Sequence, residues 1–246
     1  MLVKSQVKYI QSLGHKKFRD AAGVFVAEGS KIVQELLSYP PVSLAELYAT
    51  REWLLENENR FPAAKNKVAV EAHELERISF LSTPGQVLAV FRKPVFSDIT
   101  KQPGITLLLD EIQDPGNLGT IIRTADWFGV RRIICSPGTA DAFNPKVVQA
   151  TMGSIARVEV LYGDLKEYMA GHPGIPSYAA TLDGEDLVHM LRVPEALILI
   201  GNESRGIHKS LASLASHRIR IPRKGAAESL NAAVAAGIVL SLIQKD

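Results

Sequence analysis

The sequence has one cysteine and lacks any apolar run of about eighteen residues, the length that marks a membrane-spanning helix. The thiol of Cys135 follows two isoleucines, which favours an inert core side chain over a disulfide or a redox centre. The opening MLVKSQVKYIQSLGHKK alternates apolar and charged residues, so it lacks the apolar core of a signal peptide. These absences predict a cytoplasmic protein.

Common site motifs are also missing. The GxGxxG fingerprint, the GxxxxGK[ST] phosphate loop and the GxSxG elbow do not occur, which disfavours nicotinamide dehydrogenases, P-loop enzymes and α/β-hydrolases. The six histidines are scattered, and none has a partner at metal-ligand spacing. Asp110, Glu111 and Asp114 are a weak metal candidate because no acids follow another predicted strand. No metal is therefore predicted.

The net charge of +2 is small, but the basic residues are clustered. The opening stretch holds five basic residues and no acid: Lys4, Lys8, Lys16, Lys17 and Arg19. A second cluster lies near the end of the chain: Arg218, Arg220, Arg223 and Lys224. Such clusters are usually solvated faces, yet two of them in a near-neutral chain also fit binding to a phosphate backbone.

Residues 1–93 are predicted to form a small α/β domain. Short strand-like runs alternate there with helical periods, in the order helix 3–10, strand 24–26, helix 30–37, strand 47–50, helix 52–57, strand 68–70, helix 73–78 and strand 87–91. Pro40-Pro41 is expected to end the second helix. The segment PVFSDITKQPG at 94–104 is predicted to be the linker to the next domain.

Residues 105–246 are predicted to form a second α/β domain. The predicted strands are 105–109, 132–135, 158–161, 178–182, 196–200 and 218–221, and the predicted helices are 120–128, 145–155, 165–170, 208–215 and one from about 229. Apolar strands that alternate with helices indicate an open parallel sheet covered on both faces. Ligands bind such sheets at the carboxyl ends of the strands.

Three polar, glycine-bearing segments follow predicted strands. DEIQDPGNLG leads into a helix that carries Arg123, and Asn117 is the predicted helix cap; a capped helix with a surface arginine is the alternative. GNESRG at 201–206 has glycines that flank an acid and a base, as a close backbone approach would need. The last segment places Ser229 and Asn231 at the start of a small-residue helix, where they are expected to cap it or hold a ligand.

Together these segments resemble the three signature motifs of the SpoU (TrmH) family of RNA 2′-O-ribose methyltransferases. The motifs are D-E-x-x-D-P-G-N-L-G-x-x-x-R, I-L-I-G-N-E-x-x-G-I and I-R-I-P-R-x-G-x-x-x-S-L-N-A-A-V-A-A-G-I, in the family's order. The resemblance covers residues 105–244. In the first part of the chain, EGSKIVQELL resembles the L30e-like RNA-binding domain that often precedes such enzymes.

The resemblance implies an α/β SPOUT fold, in which a parallel-sheet methyltransferase domain with a trefoil knot follows a small L30e-like domain. It also implies a homodimer and the cofactor S-adenosylmethionine (AdoMet). By position, the cofactor-binding residues are Thr181, Ile200, Gly201, Ile221 and Leu230, and the catalytic residues are Asn117, Arg123, Glu203, Ser229 and Asn231. From the basic clusters, RNA contacts are predicted at Lys16, Lys17, Arg19, Arg223 and Lys224. The family often has Asn-Val-Ser where this chain has Asn231-Ala232-Ala233, which removes a hydroxyl.

The implied reaction is in-line transfer of a methyl group to a ribose 2′-oxygen of ribosomal or transfer RNA. Because an arginine keeps its proton at neutral pH, Arg123 is better suited to clamp a phosphate and polarise the hydroxyl than to act as a base. Two alternatives remain open. One is a non-catalytic RNA-binding protein on the same fold, and the other is a methyltransferase that acts on a base or a small molecule.

Overall fold

The computed structural model describes residues 2–39, 42–60, 66–96, 104–189 and 192–244. The chain forms two compact units: Met1–Phe96 with Asp141–Ala156, and Ser97–Ala140 with Arg157–Asp246. The segment Asp141–Ala156 thus lies within the first unit, although no feature of its sequence indicated this. Most of the predicted linker at 94–104, and the Pro40-Pro41 helix end, fall outside the described residues.

The first unit is built on a four-stranded mixed sheet with the order β1-β4-β2-β3. Its strands are β1 Val24–Glu28, β2 Leu44–Ala49, β3 Lys67–Ala69 and β4 Val87–Arg92. Its helices are α1 Lys4–Ser12, α2 Lys16–Ala22, α3 Ser30–Leu37, α4 Arg51–Glu56 and α5 Ala72–Glu76, together with α7 Pro145–Thr151. The strands β1 and β4 are buried almost throughout, so this sheet is covered on both faces.

The helix α2 was not predicted, and it changes the interpretation of one basic residue. Gly23 ends it in the left-handed conformation, at φ 64°, where glycine is favoured. Arg19, predicted as an RNA contact, is only 1% exposed. Its guanidinium donates to the Leu13 carbonyl at 2.6 Å and to the Asp141 carboxylate. That prediction is corrected, because a buried and paired arginine is a structural group of the first unit.

The segment Asp141–Ala156 packs on β1 through Phe143. The Phe143 ring lies 5.2 Å from the Phe25 ring, centroid to centroid, and the Lys93 ammonium lies 4.8 Å from the Phe143 centroid. Asn144 caps α7 by accepting from the Lys146 N–H at 2.9 Å. An aromatic contact, a cation–π contact and a buried ion pair therefore join this segment to the rest of the unit.

The second unit is built on a six-stranded parallel sheet with the order β10-β8-β9-β5-β6-β7, which confirms the predicted sheet type. Its strands are β5 Ile105–Asp110, β6 Arg132–Cys135, β7 Glu159–Tyr162, β8 Ser177–Asp186, β9 Ala196–Gly201 and β10 His217–Arg220. Its helices are α6 Pro115–Trp127, α8 Leu165–Ala170, α9 Lys209–Ala212 and α10 Ala232–Ile243. Burial raises the pKa of the Cys135 thiol, which agrees with an inert core side chain.

The helices α6 and α10 pack closely against each other. A Cβ added to Gly237 of α10 would lie 3.7 Å from the Thr124 methyl group of α6, an ordinary contact distance. The small residues of α10 allow this approach, and it brings the first turns of both helices to the same edge of the unit. Within the described residues, no helix is long and apolar enough to cross a membrane.

Candidate functional site

The helix α6 begins five residues earlier than predicted, and this changes the role of Asn117. Asp114 is the cap, and its carboxylate accepts from the Asn117 N–H at 2.8 Å. Pro115 occupies the first helical position, where its missing N–H costs nothing. The predicted cap at Asn117 is therefore wrong, and the Asn117 side-chain amide is left for other contacts.

Asn231 is the cap of α10. Its Oδ1 accepts from the N–H groups of Ala233 at 3.0 Å and Val234 at 3.2 Å. Ser229 is exposed and lies two residues before this cap. The predicted capping role is thus confirmed for Asn231 and not for Ser229.

A chain of amide and carboxylate contacts joins the three predicted motifs. Asn231 Nδ2 donates to Asn117 Oδ1 at 2.8 Å, and Asn117 Nδ2 donates to Glu203 Oε1 at 2.5 Å. The Asn117 side chain therefore uses its acceptor on one motif and a donor on the other. Three segments that are far apart in sequence thus place their polar side chains together.

Arg123 lies on α6, within two turns of Asn117. Its side chain is exposed, and its guanidinium makes no hydrogen bond or ion pair within the part of the chain that the structure describes. An exposed guanidinium on the same helix as Asn117 can bind a phosphate or a hydroxyl through several of its five donors.

Four of the predicted cofactor residues lie on three adjacent strands: Ile200 and Gly201 end β9, Ile221 directly follows β10, and Thr181 lies within β8. Ala179 of β8 pairs with Leu199 of β9, so Thr181 and Gly201 follow at one level. Ile221 directly follows β10, the other neighbour of β8. This is the edge of a parallel sheet where ligands bind. The buried Ile200 lies at the same end, while Leu230 is 45% exposed just before α10.

Thr181 carries a polar atom without a partner. Its hydroxyl oxygen is buried and makes no hydrogen bond to any described residue. The hydroxyl is still close enough to lower the pKa of the Asp183 carboxylate, although the pair lacks hydrogen-bond geometry. Because buried polar atoms normally have partners, this hydroxyl is a group that a bound ligand could satisfy. The residues at this edge therefore fit a polar cofactor.

The remaining predicted RNA contacts are exposed, and three of them have intramolecular partners. Lys16 forms an ion pair with Asp20 at 2.5 Å, one turn further along α2, and Lys17 lies over the Phe18 ring. Arg223 donates to the Ala227 carbonyl at 3.3 Å, which stabilises the turn before α10. Lys224 is exposed beside it.

The sequence did not single out Asn202 or Ser136, and it indicated Glu111 only as a weak metal ligand. Asn202 Nδ2 donates to the Glu111 carbonyl at 3.0 Å, and the Glu111 N–H donates to Ser136 Oγ at 2.8 Å. Asp110 is also buried, and it accepts from the His208 N–H at 2.8 Å. In the sequence, the only sign of the Asn202–Glu111 contact was an asparagine that directly follows the glycine after a predicted strand.

Comparisons with known proteins identify both parts of the chain. The SpoU rRNA Methylase family matches residues 104–241, and the MRM3-like substrate binding domain matches residues 4–89. The 23S rRNA (guanosine(2553)-2′-O)-methyltransferase RlmP of Bacillus subtilis is 32% identical over 243 residues, which cover 96% of this chain and 94% of that protein.

Solved structures agree with these matches over almost the whole chain. The AdoMet-bound rRNA methyltransferase of Sinorhizobium meliloti is 30% identical with a TM-score of 0.83, and the alignment covers 99% of this chain and 95% of that one. The SpoU methyltransferase AviRb of Streptomyces viridochromogenes, in complex with AdoMet, is 25% identical with a TM-score of 0.84 and coverages of 98% and 97%. The chain thus belongs to the SpoU family and is an AdoMet-dependent RNA 2′-O-ribose methyltransferase.

Proposed function

We propose that this enzyme methylates a ribose 2′-hydroxyl of large-subunit ribosomal RNA. The similarity to a 23S rRNA 2′-O-methyltransferase along nearly the whole chain supports this target over transfer RNA. The observation that carries the site is the contact of Asn117 with both Glu203 and Asn231, which unites the three motifs. A ribosomal target also supports a location where ribosomes are assembled, which is the cytoplasm in a bacterium.

The cofactor would bind where the carboxyl ends of β9 and β10 flank Thr181 of β8. Thr181 would offer its unpaired hydroxyl, and the main chain at Ile200, Gly201, Ile221 and Leu230 would offer further polar groups. When it is bound there, AdoMet supplies an electrophilic methyl group on a sulfonium centre. Because glycine leaves the main chain of residue 201 bare, a ligand can approach it closely.

Arg123 would position the RNA rather than remove a proton. A protonated guanidinium can bind the phosphate beside the target nucleotide in a bidentate manner and donate another hydrogen bond to the 2′-oxygen. That contact would favour the developing alkoxide, and water would accept the proton of the hydroxyl. Alignment of the hydroxyl with the methyl group supplies the rest of the rate enhancement.

The other catalytic residues would hold this geometry. Asn117 links the start of α6 to both other motifs, Glu203 fixes the orientation of the Asn117 amide, and Asn231 anchors the start of α10. Ser229, which is exposed just before this cap, is proposed to orient the ribose. These assignments make the Asn117 amide the centre of the site.

We also propose that the chain between β10 and α10 is threaded as the family's trefoil knot. The match to the SpoU rRNA Methylase family supports this proposal. The main chain is also tightly packed nearby: a Cβ on Gly184 would lie 2.5 Å from the Arg218 carbonyl carbon and from the Ile219 nitrogen, and a Cβ on Gly201 would lie 2.3 Å from the Ile207 nitrogen. Only glycine fits at either position.

A homodimer through α6 and α10 is the proposed assembly. The helix α10 is apolar on all sides, a pattern typical of a helix that is covered all round. Yet Val234 is 51% exposed and Trp127, one turn after Arg123, is 85% exposed. A second copy that covers this face would place its own residues beside Arg123.

Sedimentation velocity tests the dimer. Trp127→Glu and Val234→Glu are expected to give monomers, because each places a charge in the proposed apolar interface. Leu161→Glu, at a 43% exposed apolar residue of the edge strand β7, is the matched control and should remain a dimer. If Trp127→Glu and Val234→Glu both sediment as dimers, the proposed interface is contradicted.

A map of ribosomal 2′-O-methylation tests the target. Strains with and without the gene are compared, and the deletion strain is complemented with the wild-type protein or with Asn117→Ala. One site in large-subunit RNA is expected to lose its methyl group in the deletion strain and regain it only with the wild-type protein. An unchanged ribosomal map, with loss of a transfer RNA site, would overturn the proposed target.

The first unit is proposed to supply the RNA affinity through Lys16 and Lys17, with Arg223 and Lys224 as contacts from the second unit. Replacement of Lys16 and Lys17 by methionine should weaken RNA binding and flatten its dependence on salt concentration. AdoMet affinity should not change. An unaltered salt dependence would remove these lysines from the RNA interface.

A further inference from the structure

The loop after β9 reverses its direction within six residues. The Gly206 N–H donates to the Asn202 carbonyl at 2.8 Å, and the same two residues form an isolated antiparallel bridge. At the entrance to this loop, a Cβ on Gly201 would lie 2.3 Å from main-chain atoms of Gly206 and Ile207. The loop is therefore folded tightly back on its own backbone.

The Asn202 side chain is the centre of this turn. Its Oδ1 accepts from the N–H groups of Ser204 at 2.9 Å and Arg205 at 3.2 Å, the pattern of an Asx turn. Its Nδ2 donates to the Glu111 carbonyl at 3.0 Å. One side chain thus shapes the loop that carries Glu203 and ties that loop to the segment after β5.

At the other end of this bond, Glu111 has an unusual backbone conformation. Its φ of 54° lies in the left-handed region, which disfavours residues with a Cβ. Its N–H donates to Ser136 Oγ at 2.8 Å, and its carbonyl accepts from Asn202. These two bonds hold the peptide groups on both sides of Glu111, so its carbonyl is a fixed anchor point.

An exposed ion pair also joins the two segments. The Glu111 carboxylate lies 3.0 Å from the Arg205 guanidinium, with side-chain exposures of 42% and 64%. Solvent screens such a pair, so it constrains the loop less than the bond from Asn202 to the Glu111 carbonyl does.

We propose that Asn202 is a positioning residue for methyl transfer, because it ties the loop after β9 to the Glu111 carbonyl and so sets Glu203 against Asn117. Glu203 is the next residue in the chain, and its carboxylate lies 2.5 Å from Asn117 Nδ2. Without the Asn202–Glu111 hydrogen bond, the loop shifts and the Glu203–Asn117 contact lengthens. This contact then weakens, because hydrogen bonds weaken steeply as their geometry departs from the optimum. The inference rests on the proposed roles of Asn117 and Glu203.

Two variants of the whole chain distinguish the hydrogen bond between Asn202 and Glu111 from the Asx turn. Asn202→Asp keeps the oxygen that accepts from Ser204 and Arg205 but loses the donor to Glu111, whereas Asn202→Ala loses both. Each is expected to lower the single-turnover methylation rate roughly ten- to a hundredfold at saturating AdoMet and RNA, since small misplacements of aligned groups cost this much. AdoMet affinity by calorimetry should change less than about threefold, or about 0.7 kcal/mol.

The assay uses ribosomal RNA from a strain that lacks the gene, and thermal unfolding checks that each variant is folded. Ser204→Ala and Arg205→Ala are the controls in the same loop, and both are expected to stay within about threefold of the wild-type rate. Full activity of Asn202→Asp overturns the proposal. The proposal is also overturned if Arg205→Ala lowers the methylation rate as much as Asn202→Asp does, because the Glu111–Arg205 ion pair would then hold the loop.

Asn117→Ala separates failure of this inference from failure of the proposed site. Wild-type activity of Asn117→Ala would show that the site itself is wrong, and the inference would fall with it. An inactive Asn117→Ala together with a fully active Asn202→Asp would reject the positioning role of Asn202 alone.

Discussion

Removal of the Asp141 carboxylate should strongly destabilise the first unit. Arg19 is 1% exposed, and Asp141 accepts one end of its guanidinium while the Leu13 carbonyl accepts another at 2.6 Å. Asp141→Ala leaves a buried cation without its counter-charge, which costs about 3–5 kcal/mol in comparable sites. For a chain of this size, that corresponds to a fall in melting temperature of about 6–20 °C.

Two further variants sharpen this prediction. Asp141→Asn also leaves the cation without its counter-charge but keeps a hydrogen-bond acceptor, so its cost should be lower than that of Asp141→Ala by about 0.5–1.5 kcal/mol. The double variant Arg19→Met with Asp141→Ala should recover most of the stability, because an apolar side chain of similar length needs no partner. The exposed Asp20 is the control: it pairs with Lys16 and Lys93, and Asp20→Ala should cost no more than about 1 kcal/mol.

Urea and thermal unfolding of the full chain measure these differences, and RNA binding across salt concentrations provides a second test. If Arg19 is structural, the double variant should keep the wild-type salt dependence, whereas replacement of Lys17 should reduce it. A melting temperature of Asp141→Ala within about 3 °C of wild type would refute the reasoning on burial. A salt dependence that falls in the double variant would restore Arg19 as an RNA contact.

Three further predictions concern the site and the core. Arg123→Ala and Arg123→Lys should both lower the single-turnover methylation rate at least about a hundredfold with little change in AdoMet affinity. The lysine variant should also fail because a point charge cannot replace the bidentate guanidinium. Near-normal turnover of Arg123→Ala would remove the residue from the mechanism. Gly201→Ala should destabilise the protein by about 1–3 kcal/mol, because the added Cβ overlaps with main-chain atoms, and it should abolish AdoMet binding measured by calorimetry. Gly206→Ala is the control, since its Cβ would meet open space and only its φ of 68° is unfavourable. It should cost about 1–2 kcal/mol and retain AdoMet binding. Burial raises the pKa of Glu28, so the folded state favours the protonated carboxyl. The stabilisation from this group is therefore present at pH values below the ordinary pKa of a glutamate and is lost as the pH rises through the raised pKa. Glu28→Gln should therefore gain stability relative to wild type as pH increases, and a constant difference in urea midpoints from pH 4 to 8 would contradict this.

Local chemistry in the sequence was sufficient to predict the parallel sheet of the second unit. Six apolar runs alternate with helical periods there, and each forms a strand of one parallel sheet. Helix starts were less accurate: α6 begins at Pro115 and α10 at Ala232, because Asp114 and Asn231 compete with equally suitable neighbours as caps. Sequence patterns identify a cap region well but not which of several polar residues occupies the cap.

The first unit shows the opposite case. The cluster Lys16, Lys17 and Arg19 has the same local character throughout, yet only Arg19 is buried. Its partner Asp141 is 122 positions away in the chain, and it belongs to a segment whose membership of this unit no local pattern indicated. The order of the motifs and the parallel sheet were therefore determined by the sequence itself, since they depend on residue type and spacing, and the class of chemistry was implied by the resemblance of these motifs to the SpoU family. Only the tertiary structure decided that Asn117 joins Glu203 to Asn231, that Asn202 anchors on Glu111 and that Arg19 is enclosed, because each depends on contacts between segments that are distant in sequence.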